Sequence, residues 1–303
     1  YDEQVYDLKP KVGERFRAAM ARAKTELQAK LAVEKDPNVR QDLQILVDAA
    51  DRNIQSSTLN EQYMLPWSDV AQNVFTGLQA LLSDQTPPDR RAQALARLRN
   101  YAGLGDGTTP LAQLAKDRYT ERLGDASLTR PSKMEVEQAL ANVDTYIKGI
   151  DDLFAKYRIE GAQRALHAIG KQLRDYADWT RQEVLPKARD DAKLPAPVYA
   201  FQLKQMGIDI EPQLLVQRSE VEFMETRAAM RQLAPQVVAA KKLQVPDPSD
   251  YIAVLRALKR DTIPNDKLEG EYRKVIDAID PIIRRQRIVN VPNRPMIMRL
   301  GSP

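Results

Sequence analysis

SKMEVEQALANVDTYIKGIDDLFAKY, residues 132–157, carries Val136, Leu140, Val143, Ile147, Ile150, Phe154 and Tyr157 at alternating four- and three-residue steps. An α-helix repeats every 3.6 residues, so these seven side chains fall on one seam sustained over three heptads. Ser132 stands near the start of that helix. Beyond Gly161 a second stripe runs through Leu166, Ile169, Leu173 and Tyr176 towards Val184. Two long helices joined by a short glycine-containing link lie antiparallel. The same three-four spacing recurs along most of the chain, and strict alternation of the kind a half-buried strand needs is almost absent. The reading is all-α: a bundle of long antiparallel amphipathic helices.

Towards the N-terminus, a helix is expected from Pro10 to about Val33. Asp36-Pro37 reads as an N-cap followed by proline at the first helical position, opening a helix through Leu43, Val47, Ile54 and Leu59. Met64-Leu65-Pro66-Trp67 breaks that run, and a helix through Val70, Val74, Leu78 and Leu82 follows. Thr86-Pro87-Pro88 introduces a short helix through Leu95 and Leu98. Thr109-Pro110 starts another through Leu111, Leu114 and Tyr119.

Towards the C-terminus, Leu194-Pro195-Ala196-Pro197 marks the expected boundary between an N-terminal helical bundle, 1–190, and a further helical region, 191–303. The second region is expected to hold a helix from Pro212 to about Lys241 with Pro235 inside it. A proline there removes one helical hydrogen bond and is expected to kink the helix, at a cost of about 3 kcal/mol unless tertiary packing compensates. Asp247-Pro248 is expected to open the next helix. Pro264 opens the last, whose stripe is Leu268, Tyr272, Val275, Ile279 and Ile282. From Ile288 to Leu300 the pattern turns β-branched and proline-rich, which predicts a short extended C-terminal segment with Val289, Val291, Ile297 and Met298 as its strand-like residues.

Composition excludes several chemistries. There is no cysteine, hence no disulfide, thiolate metal ligand or cysteine nucleophile, and there is a single histidine. Lys plus Arg is 46 against 42 for Asp plus Glu, a net charge of +4 with no long block of either sign. No stretch approaches the roughly 18 apolar residues of a membrane span. The chain opens at Tyr1 in polar sequence and reads as a processed or trimmed start.

The candidate sites each have a plainer explanation. His167 follows Leu166 on the seam side of its helix and reads as a packing or hydrogen-bonded histidine; alone it cannot form a zinc site. Glu220, Glu222 and Glu225 do not share one helix face. Adjacent carboxylates at Asp151-Asp152 and Asp190-Asp191 diverge. Gly103-Leu104-Gly105-Asp106-Gly107-Thr108-Thr109 lacks the lysine of a phosphate loop and lies between helices, so it reads as loop and helix cap. Basic clusters at Arg90-Arg91 with Arg97 and Arg99, at Lys241-Lys242, and at Arg284-Arg285 with Arg287 have no aromatic platform beside them, and nucleic acid is not expected as a partner. The aromatics around Trp67 are expected to be exposed and to touch another domain or chain. No catalytic, cofactor-binding or metal-binding residue is assigned.

Several short runs resemble a known family. They are Leu194-Pro195-Ala196-Pro197-Val198-Tyr199, Gly207-Ile208-Asp209-Ile210-Glu211-Pro212, Asn60-Glu61-Gln62-Tyr63-Met64-Leu65-Pro66-Trp67, and the closing Val291-Pro292-Asn293-Arg294-Pro295 with Gly301-Ser302-Pro303. Together they resemble the bacterial domain-of-unknown-function family 885. The resemblance implies a helical, zinc-metallopeptidase-like protein, often exported to the periplasm or lipid-anchored. Its H-E-x-x-H helix, in which two histidines bind zinc and the glutamate activates water, would follow the region seen here. No such residues occur in this chain. The expectation is therefore an N-terminal scaffold and substrate-cleft region that carries no cofactor itself, zinc belonging to the parent protein. Its partners would be a missing C-terminal catalytic half or another protein chain, and a peptide substrate. The alternative is a stand-alone helical protein that binds a protein or peptide in a groove between helices.

Overall fold

A computed structural model describes residues 2–260 and 262–294. Among these residues the regular structure is helical, with no strand or sheet. The only β-type contacts are isolated bridges, Met64 to Thr129 and Ser132 to Arg189. The chain forms two compact units, Tyr1–Asp209 and Ile210–Pro303, dividing beyond the Leu194–Pro197 stretch.

The first unit begins with a helical hairpin, α1 (Val12–Val33) and α2 (Pro37–Tyr63), packed along their lengths. Asp36 caps α2 as expected, its carboxylate accepting from the backbone N–H of Asn38 at 2.8 Å and Val39 at 3.4 Å. Ion pairs cross the hairpin, Arg17 with Glu61 and Lys24 Nζ with Asp51 at 2.7 Å, while α1 buries no residue and α2 only Val47 and Ala50.

The core lies further along. α3 (Val70–Leu81) is its central rod, with Val70, Val74 and Leu78 wholly buried. Around it stand α5 (Ala94–Tyr101), reached through the single turn α4 (Pro88–Arg91), then α6 (Leu111–Arg122), α7 (Lys133–Lys156) and α8 (Gln163–Trp179). The seam on α7 is buried through Val136, Val143, Ile147, Ile150 and Phe154, with Leu140 and Tyr157 at its edges. Each large aliphatic or aromatic side chain so covered contributes about 1.5–3 kcal/mol by leaving water. Ser132 caps α7 by accepting from the backbone N–H of Glu135 at 3.3 Å.

α7 and α8 do run antiparallel: a Cβ at Gly170 would meet Ile147 at 3.6 Å, and Arg174 donates to Asp144 at 3.2 Å. The link turns at Gly161, whose φ of +74° suits glycine. α8 continues into a π-helical turn, Thr180–Val184, which brings Val184 fully into a second, smaller core of Leu65, Tyr119, Leu128 and Val136. Tyr119 meets Trp179 edge-on with ring centroids 5.5 Å apart. α9 (Ala196–Gln205) closes the unit against α2.

The second unit holds α10 (Pro212–Lys241), α11 (Tyr251–Leu258) and α12 (Asn265–Gln286). α10 has the expected bounds, and it continues on both sides of Pro235; α12 likewise continues through Pro281. α11 starts later than expected. Asp247 instead forms a local turn, accepting from the backbone N–H of Ser249 at 2.8 Å, and Asp250 caps the helix. The expected extended segment is not a strand within Ile288–Arg294; Ile297 and Met298 lie outside the described residues. Only Ala234 and Val254 are buried among the described residues of this unit.

Candidate functional site

A cleft of about 480 Å³ lies between α3 and α7 in the first unit. The two helices approach closely because position 149 is glycine: a Cβ there would stand 2.7 Å from the Phe75 ring. Phe75 in turn rests on Tyr146, with ring centroids 5.3 Å apart. From α7, Glu135, Gln138, Asn142 and Tyr146 follow one another at three- and four-residue steps and so line one wall. The other wall is the first turn of α3 and the segment before it, with Trp67, Asp69, Gln72 and Asn73. Tyr6, from the N-terminal segment, lies at the rim.

Asp69 belongs first to the backbone. It caps α3, accepting from the N–H of Gln72 at 2.9 Å. Burial nevertheless pushes its carboxyl up from the usual aspartate value, against the Gln72 and Ala71 N–H groups that pull it down. The preceding residue is anchored from α8: the Tyr176 hydroxyl donates to the Ser68 carbonyl at 2.9 Å, and burial raises that phenol well above its ordinary range. Trp67 is half-buried against the smaller core rather than exposed, and its indole N–H is buried without a hydrogen-bond partner. The expectation of solvent-facing aromatics here fails because Leu65 and Trp67 turn inward as the chain leaves α2. No Lys or Arg is among the lining residues, so the cleft carries two carboxylates, Asp69 and Glu135, and a ladder of carboxamides.

The residues that the sequence singled out are placed elsewhere. His167 is exposed. Two positions beyond the buried Ala165 it is rotated about 200° from it, which sets it opposite the seam rather than on it. Glu220, Glu222 and Glu225 are exposed along α10. Asp152 pairs with Lys148, and Asp191 pairs with Arg189 at 2.6 Å. Thr108 donates to the Gly105 carbonyl at 2.7 Å in the loop between α5 and α6, so this glycine-rich stretch folds on itself. Arg90 pairs with Asp2 at 2.7 Å, Arg91 lies over the Tyr157 ring, and Arg284 donates to Asp280 at 2.7 Å. Among the described residues no three His, Cys, Asp or Glu side chains stand close enough to hold a metal ion. Among the described residues the donor set therefore does not fit a zinc centre.

The other feature is a surface. On α12 the stripe residues Tyr272, Val275, Ile279 and Ile282 are 45–54% exposed, and the helix buries none of its residues. Phe223 and Met224 on α10 are exposed as well.

Residues 1–303 match the family described as bacterial protein of unknown function (DUF885). The chain belongs to this family. None of the curated proteins and none of the solved structures matches it significantly. Family membership brings no assigned activity to the cleft or to the α12 face. No helix among the described residues is long and apolar enough to cross a membrane.

Proposed function

We propose that this chain is the helical scaffold and substrate-cleft region of a zinc-metallopeptidase-like protein, itself catalytically silent. In this reading the apolar face of α12 docks the half that carries the zinc ligands. The observation behind it is that face: four large apolar side chains at helical spacing, each about half exposed, on a helix that buries nothing. Apolar faces of this kind on otherwise charged helices mark interaction surfaces. Covering Tyr272, Val275, Ile279 and Ile282 would contribute about 1.5–3 kcal/mol per side chain fully buried. The metallopeptidase element comes from the family resemblance and is an analogy. The ligands themselves would come from outside this chain, since among the described residues the donors do not form a site.

The test is peptide hydrolysis by the chain alone and by the chain mixed with a zinc-site polypeptide of the same family. The expected result is no turnover alone and chelator-sensitive turnover in the mixture, lost with Val275→Asp. Chelator-sensitive hydrolysis by the chain alone overturns the reading of catalytic silence.

A further inference from the structure

The geometry points to the α3–α7 cleft as a binding site for an extended segment of polypeptide bearing a basic side chain. The site lies wholly within the first unit, and its test does not depend on the docking proposed for α12. Three observations carry it.

First, size and chemistry fit. About 480 Å³ is within the usual range of ligand pockets, and the lining combines aromatic rings with convergent polar groups. Gln72, Asn73, Gln138 and Asn142 each offer an amide donor and an amide acceptor, the two functions of a peptide group. None of the four side chains makes a hydrogen bond to another described residue. A single carboxamide on a helix is ordinary surface; four facing one cleft with free hydrogen-bonding capacity are not needed for the fold.

Second, the spacing fits. Gln138 and Asn142 are four residues apart on α7, which separates them by about 6 Å along the helix axis. In an extended chain, peptide groups facing the same side recur every two residues, about 6.6–6.8 Å. One helix edge can thus pair with two successive same-facing peptide groups, while Gln72 and Asn73 reach them from the opposite wall.

Third, charge selects the side chain. Asp69 and Glu135 line the cleft with no cationic residue among its walls, and burial penalises the charged form of Asp69. A guanidinium or ammonium group entering here would offset that cost. Its aliphatic stem can lie on the Tyr146 and Trp67 rings, whose faces also attract cations.

The experiment uses the whole chain and two capped peptides, Ala-Lys-Ala-Lys-Ala and Ala-Glu-Ala-Glu-Ala, in isothermal titration calorimetry. The basic peptide is expected to bind with Kd below about 1 mM and at least about tenfold more tightly than the acidic one. A double variant, Gln138→Ala with Asn142→Ala, should weaken it about tenfold while leaving helicity and unfolding midpoint unchanged. Asp69→Asn, which keeps a cap acceptor for α3, should erase much of the preference for the basic peptide. Equal binding of both peptides, binding unaffected by the double variant, or no binding of the basic peptide up to about 5 mM overturns the proposal. So does displacement of the peptide by an uncharged oligosaccharide such as chitotriose, which would make the cleft a sugar site.

Discussion

α7 and α12 carry the same pattern and meet opposite fates. Each has large apolar residues at three- and four-residue steps, Val136 to Phe154 on one and Leu268 to Ile282 on the other. On α7 that stripe is sealed against α3 and α8, whereas on α12 Tyr272, Val275, Ile279 and Ile282 are near half exposed. Periodicity decides that a helix forms and which face seeks cover; it does not say where the cover comes from. The apolar stripe of α7 is a stability feature, and that of α12 is left largely open among the described residues.

The sharpest way to break this contrast is truncation. Phe154→Ala in the core of the first unit should lower unfolding stability by about 3–5 kcal/mol, the cost of an aromatic-sized deletion in a packed core. Ile279→Ala on α12 should change it by less than about 0.5 kcal/mol. Urea unfolding followed by circular dichroism checks both, and equal losses would mean that α12 is covered within the chain.

Glycine substitutions sharpen the same point with opposite signs. Gly149→Ala drives a methyl to 2.7 Å from Phe75 and should cost about 1–3 kcal/mol through overpacking. Gly270→Ala on α12 meets nothing within 4 Å and should stabilise by about 0.5–1 kcal/mol through helix propensity. Thermal unfolding of the two variants gives the sign directly. Helix caps are a local control, insensitive to what covers the stripe. Ser132→Ala at α7 and Asp250→Ala at α11 should each cost about 1 kcal/mol, read as faster amide exchange in the first turn of the helix concerned.

The smallest expected effect concerns pH. The Asp69 carboxyl is raised in the folded state, so the folded chain binds its proton more readily than the unfolded chain. Stability from this group is therefore greatest below the unfolded value of 3.8 and declines as pH rises through the higher folded value. Asp69→Asn removes the decline. Urea midpoints of wild type and variant should draw apart from pH 3.5 upward and run parallel near neutrality. A wild-type midpoint that instead rises relative to the variant across that window would contradict burial as the dominant influence on Asp69.

Much of the architecture was legible in the sequence because its signals are local. Asp36-Pro37, Ser132 and Pro212 fixed helix starts through capping chemistry that involves only the next few residues. Asp247-Pro248 misled because the Asp247 side chain is taken by Ser249, and the cap passes to Asp250 three positions on. Pro235 lies inside α10 as the sequence indicated, because a helix can continue beyond one missing hydrogen bond. The cleft was illegible for a different reason. Gln138 and Asn142 look like ordinary solvated positions on α7, and their facing wall at Asp69 to Asn73 is more than sixty residues away in sequence. The one local clue was Gly149, a poor helix former in mid-helix, which marks where α3 comes closest. His167 failed as a seam residue because adjacency to Leu166 in sequence is a turn of about 100° in space.

The π-helical turn at Thr180–Val184 has a meaning best expressed in chain length. It places one residue more in the turn than an α-helix would, and so rotates everything after it by about 100° relative to α8. That rotation is what delivers Val184 to the smaller core and hands Arg189 to its bridge with Ser132. Substitutions across Thr180 to Val184 act on one contact each. A one-residue deletion there would re-aim the whole run to Asp191, so at this place the number of residues governs the path of the chain more than their identity.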